Sequence, residues 1–384
     1  MTALTALLLT ATAACGGGAS TGGQGGDDGK PIRVGVLLSS VGALKSITEG
    51  YNEGFEFFKK KNPTILGRPI EYVRLEDGAT PATAVPAAQK LIQKEKVDVI
   101  VGPYLSGPTS AVLPYFNRAK LININMSALT DAGNAEKYPF TFHNEWWKDA
   151  EGKAQLAHAC KLGAKTVATI VVNNPLGTET DASIKHNIGS APCKLQYLGA
   201  QQFSAGAPDV TAQATAARSA DVVVTGAAAA TDFASIIKSL MQVQYKGWIM
   251  GNQAIGEDNT LNLLPAEAAK QIIPFGSTPQ TQKPLGKDVQ GLFDGVRQNL
   301  GKDPGGFWGK AYDSMLMIKM SAEGAKSLDS AAMKKWLETN KFCGAWGCFG
   351  FTAASHHPFE PKDNLPYQPG TSVGGIAEPW KQPK

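Results

Sequence analysis

Short apolar runs alternate with helical patterns along the first third of the chain. The run IRVGVLL, which begins at Ile32, is continuously apolar, as in a strand that is covered on both faces. The runs IEYVRLED, VDVIVGP and KLININ predict three more strands. Helical spacing of apolar residues over 47–61, 83–95 and 109–119 separates these strands. Such alternation predicts βαβ units around a parallel sheet.

The alternation starts again after Asp149. The runs TVATIVV, CKLQYLG, ADVVVTG and GWIMG predict strands, and the segments between and around them predict helices over 149–161, 178–189, 209–218 and 231–242. The last third is mostly helical, over 286–300, 306–322 and 329–339, and its Phe307, Trp308 and Tyr312 are expected in the core. The fold class is therefore α/β, with two doubly wound lobes built on parallel-type sheets.

The composition narrows the function classes. With 384 residues, of which 43% are hydrophobic, the chain can bury a large core and form about two domains. The formal net charge is +4 and no basic stripe interleaves with aromatic residues, so nucleic acid is not an expected partner. No apolar run reaches the ~20 residues that a membrane-spanning helix needs.

The N-terminal stretch LTATAACGGGAS, Leu9 to Ser20, resembles a bacterial lipoprotein signal. We interpret residues 1–15 as a signal and lipobox segment in which Cys15 is lipidated, and 16–30 as a Gly-rich linker. Thr12 stands where Leu is usual, and no Lys or Arg precedes Lys30, so we expect a natural start farther upstream. The alternative is a disordered tail with an incidental cysteine.

The cysteine count predicts two disulfides. If Cys15 carries lipid, four of the five cysteines remain, which suits an exported chain. Cys343 and Cys348 are close enough to close a small loop, which leaves Cys160 to pair with Cys193. A zinc site is the alternative, but the spacing is not CxxC and no histidine stands beside these residues.

Motifs of catalysis and cofactor binding are missing from the sequence. There is no GxGxxG after the first strand, no phosphate-binding loop, no GxSxG and no HExxH. His356 and His357 adjoin, but we expect them in an exposed tail and not as metal ligands. The chain is therefore predicted not to be an enzyme and to need no cofactor or metal.

Polar and small residues follow several predicted strands at their carboxyl ends, where open α/β sheets bind ligands. Hydroxyls and free helix N-terminal amides suit a carboxylate or another small polar group. Each turn alone also fits ordinary helix capping, but together they outline a cleft between two lobes. The turns are 39–42 with Ser40, 104–107, 127–130, 173–176, 227–230 and 252–253.

Several stretches, in this order, resemble the type I solute-binding proteins of ABC importers, specifically the branched-chain amino-acid-binding family. The resemblance covers about residues 31 to 360 and depends on the order and spacing of weak motifs. These are VGVLLSSVG, VDVIVGPYLSGPTSAVLPYF, NMSALTDAG followed by YPFTFHN, GWIMGNQA and KAYDSMLMI.

The resemblance implies two lobes joined by a three-strand hinge that close on a ligand. We expect lobe 1 to comprise 31–145 plus 275–348, and lobe 2 to comprise 146–274 plus 349–384. The crossovers are expected near 143–149, 270–277 and 345–355. The family also implies an extracytoplasmic monomer, lipid-anchored to the outer face of the cytoplasmic membrane or periplasmic, which delivers its ligand to ABC permease subunits.

The resemblance further implies ligand-binding residues. Ser106 matches the serine that holds an α-carboxylate in the family, and Ser127 with Leu129 or Thr130 matches a second turn with that role. Gln253 stands where the family has the acid that holds the α-ammonium, and without an acid a buried ammonium would cost several kcal/mol. Glu145 could swing in and replace it.

Further residues shape the expected pocket. Leu176 and Ala228 occupy positions that are often tyrosine in the family, so the pocket is expected to be open and neutral. Tyr104, Trp146 and Trp147 could supply a stacking wall, or the two tryptophans could pack in the hinge.

The sequence thus predicts the substrate-binding component of an ABC importer, with a ligand such as an aromatic or apolar carboxylate. The alternatives are a protein that binds branched-chain or other amino acids, and an extracellular ligand-sensing domain.

Overall fold

Two parallel sheets form the frame of the molecule. The computed structural model describes residues 29–277, 286–301, 306–370 and 378–382. The first sheet has the order β2-β3-β1-β4-β5-β6, and its pairs are parallel except β2–β3. Its strands are β1 (Ile32–Leu38), β2 (Thr64–Ile65), β3 (Arg68–Glu76), β4 (Val99–Val101), β5 (Asn123–Asn125) and β6 (Thr141–His143).

Helices cover both faces of the first sheet because its strands are apolar on both sides. On one face, β1 and β5 pack against α1 (Lys45–Lys61) and a long C-terminal helix, α10 (Gly306–Ala325), around Phe55, Phe58 and Trp308. The other face packs against α2 (Pro81–Lys90) and α3 (Ser106–Ala119). The first sheet is therefore doubly wound, as predicted.

The second sheet repeats the arrangement, with the order β14-β11-β10-β9-β7-β8. Its pairs are parallel except β11–β14. Its strands are β7 (Thr166–Val172), β8 (Gln196–Phe203), β9 (Val222–Gly226), β10 (Trp248–Asn252), β11 (Ile272–Ser277) and β14 (Asn364–Pro366). Its covering helices are α4 (Lys148–Lys161), α5 (Pro175–Asn187), α6 (Thr211–Ala217) and α7 (Ala230–Gln242).

The remaining elements belong to the C-terminal part of the chain. A short α8 (Asp258–Leu261) precedes β11, and α9 (Gly286–Leu300), α10 and α11 (Ser330–Thr339) follow it. The small sheet of β12 (Lys341–Cys343) and β13 (Cys348–Gly350) packs on the core of the first sheet through Phe342 and Phe349. The chain then passes to β14 in the second sheet. No helix in the described part of the chain is long and apolar enough to cross a membrane.

Local capping fixes where several helices begin. The side chains of Thr80, Asn174 and Asp329 accept hydrogen bonds from backbone amides in the first turns of α2, α5 and α11. In α2 and α5 a proline follows the cap, where its missing N–H costs no helical hydrogen bond. Helix α5 therefore starts immediately after the carboxyl end of β7, which brings Leu176 to that edge of the sheet.

The α/β fold with two sheets of parallel type is confirmed, whereas the lobe boundaries stay a prediction. Phe351 and Phe359 pack in the core of the first sheet, beyond the expected boundary at residue 348. Residues 1–15 and most of the linker 16–30, including Cys15, lie outside the described residues.

Candidate functional site

A cavity lies where the two sheets present the carboxyl ends of their strands. In each sheet the strand order reverses once, between β1 and β4 and between β7 and β9. Turns at both reversal points line the cavity, through Tyr104 to Ser106 after β4, Leu176 after β7 and Ala228 after β9. A crevice at such a point is the usual ligand site of an open α/β sheet. The empty space between its walls is about 650 Å³, including space open to solvent.

The wall from the first lobe is aromatic. Tyr51 lies with its ring centroid 5.2 Å from that of Tyr104 and 5.3 Å from that of Phe307. The Tyr104 hydroxyl donates to the backbone oxygen of Ser39 at 2.7 Å, which holds the ring in place. Trp146 completes this wall and packs against Phe359, with centroids 4.6 Å apart. These rings offer apolar surface to the planar or apolar body of a ligand.

The same side of the cavity carries a buried ion pair. Lys310 of α10 is bonded to Glu145, and their side chains are 3% and 14% exposed. The Lys310 ammonium lies 4.4 Å from the centroid of the Trp346 ring, so a cation–π contact adds to the pairing. The second Glu145 oxygen accepts from the backbone amide of Trp146 at 2.8 Å. Both ends of the Glu145 carboxylate are therefore engaged.

A second buried ion pair stands at the start of α4. The Nζ atom of Lys148 lies 2.5 Å from Oε2 of Glu151, and both residues line the cavity. The other Glu151 oxygen accepts from Gln155 at 3.1 Å. The charges of Lys310 and Glu145 cancel, and so do those of Lys148 and Glu151. These four residues therefore add local charges to the cavity but no net charge.

Ser106 offers the cavity a buried hydroxyl that is available to a ligand. It is the first residue of α3, it is 3% exposed, and its Oγ has no hydrogen-bond partner among the described residues. A buried hydroxyl without a partner costs free energy unless a ligand satisfies it. The partial positive charge at a helix N-terminus favours an anion at the same place.

Two other polar groups in residues that line the cavity are also buried without a hydrogen-bond partner. Nε1 of Trp146 and the side-chain amide of Asn364 are buried and lack partners in the described part of the chain. Asn364 begins β14, which pairs with β11 at the edge of the second sheet. Together with Ser106, these groups give the cavity hydrogen-bonding capacity from both lobes.

Apart from the Lys148–Glu151 pair of α4, the wall from the second lobe is built of neutral residues. Asn252 is tied back into its turn, because its amide nitrogen donates to Ala227 O at 3.1 Å and its oxygen accepts from Ala254 N at 3.0 Å. Gln253 is 5% exposed, and its backbone oxygen accepts from the Tyr367 hydroxyl at 2.8 Å. The neutral residues of this wall are Leu176, Ala228, Asn252, Gln253, Ala254, Phe275 and Asn364.

One acid stands close to this wall. Glu257 follows the short helical turn that begins at Gln253, and its Oε1 is buried without a partner among the described residues. Burial raises the pKa of Glu257 to about 7, an effect that Lys310 opposes and that Asp258 and Glu145 reinforce. Glu257 itself is not part of the cavity wall, but Lys310 and Glu145 of that wall act electrostatically on its carboxyl.

The structure brings six of the sequence-predicted residues into the cavity wall and leaves five outside it. Whether any of them binds ligand stays a prediction. Those in the wall are Tyr104, Ser106, Trp146, Leu176, Ala228 and Gln253. Those outside it are Ser40, Ser127, Leu129, Thr130 and Trp147.

The residues outside the wall have other contacts. Ser40 bonds to Glu76, the Ser127 hydroxyl donates to Asn125 at 2.7 Å, and Leu129 is 7% exposed in the core beside α3. Ala128 of the same turn lines the cavity instead. Trp147 stacks on His357 with centroids 4.2 Å apart and donates to Phe359 O at 3.0 Å, so its ring is engaged outside the cavity wall.

The sequence analysis missed the cavity residues that come from α1 and α10. Ile47, Tyr51, Phe307 and Lys310 sit on helices far apart in the chain. We expected Phe307 in the core with Trp308 and Tyr312, but Phe307 is only partly buried and lines the cavity. The signal that could have found Lys310 is a lone lysine within an otherwise apolar helical stripe.

The cysteine and histidine expectations have different outcomes. Cys160 and Cys193, and Cys343 and Cys348, are joined with S–S distances of 2.11 and 2.04 Å, as expected. The expectation of an exposed histidine tail is wrong. His356 is fully buried, and its ring stacks on Phe142 with a centroid distance of 4.0 Å.

Two histidines join segments that are far apart in the chain. Nδ1 of His143 and Nδ1 of His357 lie 3.0 Å apart, and burial lowers the pKa of His143 to about 4. This contact ties the end of β6 to the segment that follows β13. No cluster that could hold a metal ion occurs in residues 29–277, 286–301, 306–370 and 378–382.

The comparison with known families is decisive. The family model for "Periplasmic binding protein" matches residues 31–362. The chain belongs to the periplasmic binding protein family. Solved structures of branched-chain amino-acid-binding proteins share its two-lobed α/β fold. This family is extracytoplasmic, binds small molecules and works with ABC transporters.

Solved structures share the fold at low identity. One is the branched-chain amino acid transporter substrate binding protein LivJ from Streptococcus pneumoniae in complex with isoleucine, with 22% identity, TM-score 0.76 and coverage of 91% of this chain and 98% of that one. Another is an ABC transporter solute binding protein from R. palustris in complex with benzoate, with 18% identity, TM-score 0.78 and coverage of 92% and 98%.

A third is the leucine binding protein LivK from Thermotoga maritima, with 19% identity, TM-score 0.75 and coverage of 88% of this chain and 93% of that one. Among curated proteins, none matches the chain. At these identities the solved structures show the fold and leave the ligand open.

Proposed function

We propose that this protein is the substrate-binding component of an ABC importer and that its cavity takes a small carboxylate with an aromatic or apolar body. The observation that carries the ligand class is the buried, unpartnered hydroxyl of Ser106 at the N-terminus of α3. A ligand carboxylate would accept from this hydroxyl, and the partial positive charge at the helix N-terminus would favour it. The aromatic wall would hold the body of the ligand.

Both carboxylates in the described part of the cavity wall are already paired, which argues against an ammonium-bearing ligand such as an amino acid. Gln253 offers no countercharge for an ammonium, and Glu145 is held by Lys310 and by the amide of Trp146. The possibility that Glu145 swings in to replace the missing acid therefore loses support. The benzoate complex of the R. palustris protein shows that this fold accepts an aromatic carboxylate.

A branched-chain amino acid is the second candidate, because Glu257 is an acid beside the second-lobe wall with an unpartnered oxygen. Its ionised form could accept from an α-ammonium. The LivJ complex with isoleucine is the corresponding precedent in the fold.

Calorimetry with benzoate and related aromatic acids, against leucine, isoleucine and valine, separates the two candidates. We expect micromolar or tighter binding of an aromatic or apolar acid, and none of the amino acids. Gln253→Glu should weaken acid binding through charge repulsion, and Asn262→Asp, an exposed change in the same lobe, is the matched control. Micromolar binding of an amino acid to the unchanged protein would overturn the carboxylate proposal.

The location and the transport role need tests of their own. We propose that Cys15 anchors the mature protein to the membrane and that no turnover of the ligand occurs. Intact mass of the protein from its native host should show a diacylglycerol on Cys15. Deleting the gene should abolish uptake of the ligand that co-purifies with the protein, as found by mass spectrometry, and that ligand should stay chemically unchanged.

A further inference from the structure

The two lobes touch at a place outside the ligand cavity. Oε2 of Glu179, on α5 of the second lobe, accepts a hydrogen bond from the backbone amide of Thr130 in the first lobe at 3.1 Å. Beside this bond, α3 packs against α5, and a side-chain carbon at Gly107 would lie 3.7 Å from Pro175. The structure therefore shows the lobes in contact across the cleft, with one polar bond at the point of contact.

Thr130 stands on a rigid support. It begins the short helical turn Thr130–Gly133, and the backbone oxygen of Gly133 accepts from the amide of His356 at 2.9 Å. The ring of His357 leaves no room for a side chain at Gly133. These contacts fix the turn to residues 356–357, which pack with the first lobe through Phe142.

Glu179 is not part of the cavity wall. The charged groups that face it are Lys148 from α4 and Asp131 from the turn that holds Thr130. Burial at the contact raises the pKa of Glu179 to about 7, and the Thr130 amide and Lys148 oppose that rise. Opening of the cleft would break the Thr130 bond and return this carboxyl to water, so the bond exists only while the lobes are together.

We propose that Glu179 is a positioning residue that latches the closed form and raises ligand affinity without touching the ligand. The inference rests on the proposed function, because it assumes that closure accompanies binding. Apparent affinity scales with the population of the binding-competent state. A bond that belongs to the closed state alone therefore slows ligand dissociation, whereas association in the open state is unaffected.

The test compares Glu179→Ala, Glu179→Gln and the control Glu136→Ala, which removes an exposed glutamate of the first lobe. At pH 7, with the co-purified ligand, Glu179→Ala should weaken binding by about three- to tenfold, the range of one hydrogen bond. The loss should appear in the dissociation rate, with the association rate and the melting temperature unchanged. Glu179→Gln keeps an acceptor and should bind as the unchanged protein does.

A distance measurement separates failure of the latch from failure of the proposed function. Fluorophores at two exposed positions, Lys94 in the first lobe and Lys246 in the second, report closure of the protein even if no ligand is found. Glu179→Ala should lower the small population of the closed form in the unliganded protein, and Glu136→Ala should leave it unchanged. Equal closure and equal dissociation rates in Glu179→Ala and the unchanged protein would overturn the latch, and so would a Glu179→Gln variant as impaired as Glu179→Ala.

Discussion

The two walls of the cavity differ in chemistry and in support. The first-lobe wall consists of aromatic rings and the buried Lys310–Glu145 pair. The second-lobe wall consists of alanines, a leucine, a phenylalanine and side-chain amides, with the buried Lys148–Glu151 pair of α4 beside them. Tyr51, Tyr104 and Trp146 also belong to the largest core cluster, so the first wall is anchored in the lobe that carries it. Residues of the second wall come mainly from turns after strands. On the proposed function, we expect the first lobe to hold the ligand and the second to close over it.

The contrast is sharpest at Lys310, the charge most deeply set in the first wall. Lys310→Met removes the partner of Glu145 and leaves a buried carboxylate uncompensated, which costs about 3–5 kcal/mol. We expect that loss in the free energy of unfolding, measured with urea. Adding Glu145→Gln should restore most of it, because no unpaired charge then remains.

Lys319→Met is the matched control, since it breaks the pair with Glu323 on the same helix, where the side chains are 24% and 41% exposed. Its cost should be below about 1 kcal/mol, as for other surface pairs. If Lys310→Met were as mild as Lys319→Met, the first wall would not depend on its ion pair.

Substitution of Ser106 tests whether its hydroxyl binds a carboxylate of the ligand. Ser106→Ala should lower ligand affinity by about 10- to 100-fold, since hydrogen bonds to charged groups contribute ~1.5–3 kcal/mol. Ser110→Ala is the control: Ser110 is exposed on the same helix, and its hydroxyl donates to Gly107 O. Calorimetry with the co-purified ligand measures both. A loss below about threefold would indicate that no carboxylate lies at Ser106.

The two walls also differ in how far the sequence predicts them. Parallel strands bring their carboxyl ends to one edge, so the turns at Ser106, Leu176, Ala228 and Gln253 could be placed there from strand patterns alone. Polar turns do not reveal which of their side chains face inward. For that reason Ala128 lines the cavity, whereas Ser127 and Leu129 are used within the first lobe.

Contacts between distant segments could not be predicted from local patterns. Helix α10 packs on α1 through Trp308 and Tyr312, and only that packing turns Phe307 and Lys310 toward the cavity. The short strands β6, β12, β13 and β14 carry too few residues to show a period. The aromatic contacts of His356 and His357 likewise join distant segments, because these histidines stack on Phe142 and Trp147.

The pH dependence of ligand binding reports the protonation of Glu257 beside the second wall. It is the smallest effect that we expect. Free carboxyls titrate near 4.3, but burial raises the pKa of Glu257 to about 7. Between about pH 4.3 and about 7 the folded protein therefore keeps the Glu257 proton, whereas the unfolded chain releases it. The free energy of unfolding that this proton contributes is lost as the pH rises through about 7. An anionic ligand nearby favours the protonated form, so its affinity should fall by up to about tenfold from pH 6 to pH 8.

An ammonium-bearing ligand would give the opposite sign, because it favours ionised Glu257. Glu257→Gln should remove the pH dependence in either case, whereas Glu267→Gln, at an exposed glutamate of the same lobe, should leave it unchanged. Burial also raises the pKa of Glu179 to about 7, so the Glu257 series is best measured in a Glu179→Gln background. Affinity that rises with pH, and flattens in Glu257→Gln, would place a cation at the second wall and favour an amino acid as the ligand.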